Sequence, residues 1–167
     1  MKFKVISYYC DVDDSKYYEK SYSRLKKKLD EYNYDYDLDH VESLGSYKEN
    51  CRRKAQFILD KMEQCEENLL WLDIDTILLN KMEELDLLEE DVDLLFASAV
   101  PQIAGIKASP IFFKNNKNSK QFLNHWKERI DTTRNEEQEC FDHEVLFGIF
   151  GSCGEVAKYG VFPPTYC

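Results

Sequence analysis

Residues 69–80 read LLWLDIDTILLN. Four consecutive apolar residues cannot all lie on the covered side of a half-solvated strand. LLWL therefore predicts a strand buried on both faces, the place of a central strand in a parallel sheet. Helices must then cover both faces, which makes the chain α/β. The preceding residues supply such a frame. FKVISYY is a β-branched and aromatic run with the polar CDVDD behind it, so a first strand ends near Ser7 to Tyr9 in a loop. Tyr18, Tyr22, Leu25 and Leu29 recur at helical spacing and predict an amphipathic helix over about 15–32. YDYDLDHVESL alternates with a period of two, as a half-buried strand near an edge does. Gly45 and Ser46 punctuate, and Cys51, Ala55, Ile58, Leu59 and Met62 mark one face of a second helix ending near Cys65.

Beyond the central run, LDLLEEDVDLLFASAV reads as a helical or loop stretch followed by a strand, and IKASPIFFK as a further strand. A helix over 120–130 turns Phe122, Leu123 and Trp126 inward, and another covers 142–150. At 167 residues, with no repeat or linker, residues 1–167 read as a single domain. The net charge of −10 argues against nucleic acid as a partner, because a phosphate backbone requires a basic surface. No run of about 18 apolar residues is present, so no membrane span is expected, and the chain reads as soluble and intracellular, hence cytoplasmic. The six cysteines form no CxxC pair and are read as reduced thiols rather than disulfides or a zinc site.

Asp73 and Asp75 interrupt the apolar run. In an extended backbone, residues i and i+2 point to one face, so both carboxylates would aim at one point and repel each other unless a cation stood between them. At the carboxyl end of a central strand, hard oxygen ligands favour Mg²⁺ or Mn²⁺, and such an ion would bring a diphosphate with it. A solvated turn, or pairing with Lys and Arg, is the structural alternative. Apolar flanks weigh against it, since an unpaired carboxylate is costly to bury.

Two families resemble this stretch. Apolar strand followed by D-x-D-x-T resembles the first motif of haloacid-dehalogenase-like phosphatases. That resemblance implies Mg²⁺-dependent hydrolysis with Asp73 as nucleophile, Asp75 as general acid/base and Ser98 as the second-motif hydroxyl. The other resemblance covers nearly the whole chain. WLDIDTILLN looks like the DxD segment of GT-A type glycosyltransferases, VISYY like their first strand, and CRRKAQFIL like the basic segment before the DxD strand. IKASPIFFKNNKNSKQFLNHW, EEQECFDHEVLFGIF and GVFPPTYC resemble later segments in the same order. Lys107, Ala108, Ser109 and Pro110 stand where Asn-Ser-Gly is frequent, and His143 where glutamine is common.

The second resemblance implies a single-domain GT-A-like, Rossmann-like fold with a mostly parallel central sheet flanked by helices. It also implies a metal-dependent hexosyltransferase moving a sugar from a nucleotide-diphosphate sugar, a UDP-sugar being favoured, to a glycan or protein acceptor. Asp73 and Asp75 would hold Mn²⁺ or Mg²⁺ and through it the diphosphate. Ser7, Tyr8 and Tyr9 would meet the nucleotide, and Lys54, from the basic cluster Arg52, Arg53 and Lys54, would contact the diphosphate. Asp142 would orient the donor sugar, with an N-cap as its structural alternative, and His143 would serve as base or metal ligand. His40 and His125 read as structural. A homo-oligomer and a non-catalytic GT-A-like binding module stay open as readings.

Overall fold

The structure is a computed structural model. It describes residues 3–11, 16–83, 85, 91–100, 105–136, 140–151 and 153–166. Residues 12–15 of the predicted CDVDD loop, the 86–90 part of the stretch before the later strand, 137–139 of the EEQEC segment, and Cys167 lie outside them.

The chain runs β1 (Phe3–Tyr9), α1 (Tyr17–Tyr32), β2 (Tyr36–His40), α2 (Tyr47–Arg52), α3 (Lys54–Gln64), β3 (Asn68–Trp71), β4 (Leu94–Val100), β5 (Gly105–Phe113), α4 (Lys117–Asn135), α5 (Asp142–Phe150), α6 (Cys153–Val156) and β6 (Tyr159–Val161). A 3₁₀ turn, Pro164–Tyr166, follows. The strands form one sheet in the order β2-β1-β3-β5-β4-β6. β1 pairs in parallel with β2 and β3, and β4 with β6, while β5 is antiparallel to both β3 and β4. Five strands therefore share a direction and β5 alone is reversed. The expected α/β sheet flanked by helices is what forms, mixed through that one strand.

Alternation along the strands divides the core between the two faces. Ile6, Tyr8, Leu69, Trp71, Phe96, Ile111 and Phe113 pack under α3, α4 and α5, against Ile58, Met62, Phe122, Trp126 and Leu146. Val5, Leu70, Leu95 and Phe112 face the other way, against Leu25 and Leu29 of α1 and the segment carrying Ile74, Leu78 and Met82. LLWL is buried throughout, as a central strand requires. β2 is the edge strand its alternation predicted. Its acids Asp37 and Asp39 both pair with Lys61 of α3, which ties the edge to the helix layer.

Two boundaries differ from the sequence reading. The second helix divides at Arg53 into α2 and α3, and Ser46 caps α2 by accepting from the Glu49 amide at 3.2 Å. β3 stops at Trp71, so Asp73 and Asp75 follow the strand in a turn closed by Thr76 N donating to Asp73 O at 2.9 Å. The flank after them is only partly buried: Leu78 is covered, whereas Ile77 and Leu79 are 60% and 78% exposed. α5 covers 142–150 as expected, with Phe141 in the N-cap position, so Asp142 is the first helical residue rather than the cap.

Candidate functional site

Because β1 and β3 are parallel, their carboxyl ends lie side by side, and a cavity of about 520 Å³ opens there. Its floor is Tyr8 and Trp71, with ring centroids 5.2 Å apart. Reversal of β5 brings its early residues Ile106, Lys107, Ala108 and Ser109 to the same edge, where they form one wall. The starts of α2, α3 and α5 form the opposite wall.

Lys54, the first residue of α3, is the electrostatic centre. It is 5% exposed, and its Nζ lies 3.0 Å from Asp73 Oδ1, 2.9 Å from Asp142 Oδ2 and 3.3 Å from the carbonyl oxygen of Ala108. The same Nζ stands 5.2 Å above the Trp71 ring. Burial opposes its charge, but Asp73 and Asp142 together outweigh burial and hold the ammonium well above the ordinary lysine value. Lys54 thus stands as a cation between Asp73 and Asp142.

Asp73 also accepts from Trp71 Nε1 at 2.9 Å, and its amide donates to Ser109 Oγ at 2.8 Å. Its position is therefore fixed by β3 and β5 together. Asp75 is exposed and lines the same cavity. Its carboxylate accepts from Tyr17 Oη at 3.5 Å and its carbonyl from Arg24 at 2.8 Å. The turn, rather than strand alternation, delivers both acids to one cavity.

Asp142 is 4% exposed, and its carbonyl accepts from Trp126 Nε1 at 3.1 Å. Its Oδ2 meets the Lys54 ammonium at ion-pair distance but off the hydrogen-bond axis, so that oxygen has no aligned donor. His143 is exposed at the mouth and stacks on Phe141, centroids 5.9 Å apart at 20°. Tyr9 lines the cavity and stacks on His40, centroids 4.7 Å apart at 17°. Tyr8 is part of the core as well as the floor: its hydroxyl donates to Asn50 O at 2.6 Å, and burial pushes its phenol far above the ordinary value. Ser7 points to the opposite face of the sheet from Tyr8. It is fully buried, its Oγ has no hydrogen-bond partner, and it does not line the cavity. Ser98 lies on β4 opposite Ile106 and does not line the cavity either.

The cavity also gathers residues that sequence reasoning passed over: Cys10, Tyr18, Tyr47, Asn50, Cys51, Trp71 and Phe141. Ser46 as an N-cap signal places Tyr47 in the first turn of α2, so that ring was within reach of a sequence argument. Cys51 has its thiol pushed up to about 11, chiefly by burial and then by Asp142. Cys10, Cys51, Cys65 and Cys140 are not in disulfides. Among the described residues, no group of three or more His, Cys, Asp and Glu stands ready to hold a metal, and no helix is long and apolar enough to cross a membrane.

This architecture is similar to that of solved glycosyltransferases. One, involved in the glycosylation of the major capsid of PBCV-1, aligns with a TM-score of 0.69 at 14% identity, covering 98% of this chain and 82% of that one. GlyE of Streptococcus pneumoniae TIGR4 aligns in its apo form with a TM-score of 0.66 at 16% identity, and in a second structure with 0.65 at 19%. In both cases 99% of this chain is covered but 46% of the GlyE chain, so the present chain spans about half of GlyE. No protein-family model and no curated protein matches the sequence. At such identities the likeness is one of fold alone.

Proposed function

We propose that the protein is a GT-A type glycosyltransferase, a hexosyltransferase that uses a nucleotide-diphosphate sugar, most simply a UDP-sugar, and passes the sugar to a glycan or protein acceptor. The observation that carries this reading is the convergence of Asp73, Asp75, Asp142 and Lys54 on one cavity at the carboxyl ends of parallel strands, in a fold shared with solved glycosyltransferases. A donor diphosphate at this edge meets Lys54, the one cation held inside the wall by two carboxylates. Tyr9, with the Tyr8 floor beside it, gives the nucleobase an aromatic face.

Asp73 and Asp75 fit a divalent ion by the chemistry of their donors. Both are carboxylates on one cavity, and Mg²⁺ and Mn²⁺ accept one or two protein carboxylates and complete their shells with phosphate oxygens and water. When bound there, Mn²⁺ or Mg²⁺ would supply positive charge to the leaving diphosphate. The remaining work falls to the protein's own groups. Asp142, which lines the cavity and is paired with Lys54, orients the donor sugar. In the transfer, the acceptor oxygen bonds to the anomeric carbon as the bond to the diphosphate oxygen breaks. His143, open to the mouth, takes the acceptor's hydroxyl proton.

Calorimetry with UDP, with and without Mn²⁺, tests the proposal on the wild type and on Asp75→Ala. Because Asp75 is exposed, its replacement should leave folding stability within about 0.5 kcal/mol. Nucleotide binding that needs both the metal and Asp75 supports the transferase. Absence of UDP, GDP and CMP binding to the folded wild type rejects it.

A further inference from the structure

The side of the cavity built by α2 and α5 ends in an aromatic rim that the donor does not require. Tyr47 is 57% exposed although it lines the cavity, and its ring centroid lies 6.0 Å from that of Phe141. Phe141 in turn carries the stacked His143. Exposed aromatic rings on a chain terminus or loop tip are ordinary, but these are held. The carbonyl before Phe141, that of Cys140, accepts from the buried Arg52 Nε at 2.9 Å. The Phe141 amide donates to Glu144 Oε2 at 2.6 Å, and the carbonyl after it, on Asp142, accepts from Trp126. Arg52 also pairs with Glu49, and Glu49 with Arg134 of α4, so α2 and the start of α5 are fastened to one another and to the layer beneath. Rings that face solvent on a backbone fixed at three successive residues are preorganised for a ligand.

We infer that Tyr47 and Phe141 form the acceptor platform, and that the acceptor is a neutral saccharide rather than a peptide. This inference rests on the transferase reading for the word acceptor, but the binding surface does not depend on it. A pyranose presents an apolar face of C–H groups ringed by hydroxyls. It matches an aromatic surface with hydrogen-bond acceptors beside it, and here the exposed Glu144 carboxylate stands beside Phe141, whose amide donates to it. An extended peptide is a poorer fit, because this side of the rim is made of helix starts and offers no strand edge to pair with. Charge selects further. At the platform itself the exposed Glu144 carboxylate stands beside Phe141, on a chain of net charge −10, so an anionic saccharide is repelled there.

Saturation-transfer NMR and titration with lactose, cellobiose and maltose, with 3′-sialyllactose as the anionic control, test the platform without any donor present. The wild type should bind at least one neutral disaccharide through its C–H protons, and bind sialyllactose more weakly than lactose. Tyr47→Ala and Phe141→Ala, each checked for an unchanged fold by amide spectra, should weaken binding by about tenfold or more, whereas Tyr47→Phe and Phe141→Tyr should retain it. No saccharide binding by the wild type, or equal binding by the folded alanine variants, overturns the platform. Saccharide binding that depends on both rings in a protein that binds no nucleotide supports the platform while rejecting the transferase.

Discussion

Lys54 Nζ stands 2.9 Å from Asp142 Oδ2, both side chains nearly closed to solvent, and the pair joins the first residues of α3 and α5 across the cavity wall. Asp73, whose side chain is 42% exposed, completes the triad from the end of β3. The desolvation cost of the two buried charges is offset only while both are present.

Lys54→Met should therefore destabilise the protein by about 3–5 kcal/mol at pH 7, the usual consequence of stranding a buried partner. Adding Asp142→Asn should recover a large part of that loss, because the stranded charge is then gone. In the wild type, the raised Lys54 value means that its stabilisation is complete below the unfolded lysine range and declines only as pH rises through the folded value. Urea unfolding of the two variants at pH 7 measures these differences; a single variant as stable as the wild type would contradict them.

Cys51 is half-buried, and with its thiol pushed up to about 11 it is almost wholly protonated at neutral pH. Alkylation at pH 8 should run about a hundredfold slower than at an ordinary exposed thiol, in proportion to its thiolate fraction. The rate should climb with pH towards 11. Peptide-resolved mass spectrometry after timed iodoacetamide treatment reads this directly, and denatured protein should lose the protection.

Asp93 provides the acid-sensitive anchor. Although burial opposes its charge, hydrogen bonds from Asn118, the Lys158 amide and Asn116 prevail and hold its carboxyl below the usual range. A depressed value gives stability that is present above the unfolded carboxylate pKa and is lost as pH falls through the folded one. Asp93→Ala should cost about 2–4 kcal/mol at neutral pH, and the difference from wild type should narrow below about pH 4. Paired denaturation curves at pH 7 and pH 3.5 show whether the gap closes.

Much of the fold was legible because it is local. The 3.6-residue stripe of α1, the two-residue alternation of β2, the unbroken apolar run of β3 and the aromatic positions of α4 each report on a neighbourhood of a few residues. The reversed course of β5 was not legible, since strand direction depends on connection rather than composition. Asp73, Asp75, Tyr9, Lys54, Asp142 and His143 do meet at one cavity. The route that brings the acids there was misread, because a strand cannot be measured past Trp71 when the next residues bend into a turn. Lys54 with Asp142 was invisible as a pair: neither neighbourhood carries a trace of the other, and only the meeting of the first residues of α3 and α5 at the cavity creates it. Arg52 shows the same limit. In sequence it is one of three adjacent cations, yet it is buried and fastens the backbone at Cys140.

Asp93 immediately precedes β4, so it lies at the amino end of that strand. The cavity lies at the carboxyl ends of strands running in the same direction. At about 3.3 Å per residue, the sheet holds these two polar centres roughly 20 Å apart. Robustness and chemistry are thereby zoned on opposite rims. Changes that toughen the Asp93 rim have no short path to the cavity, and the rim around the cavity can be remodelled for another ligand without loosening the knot that keeps β4, β5, β6 and α4 together.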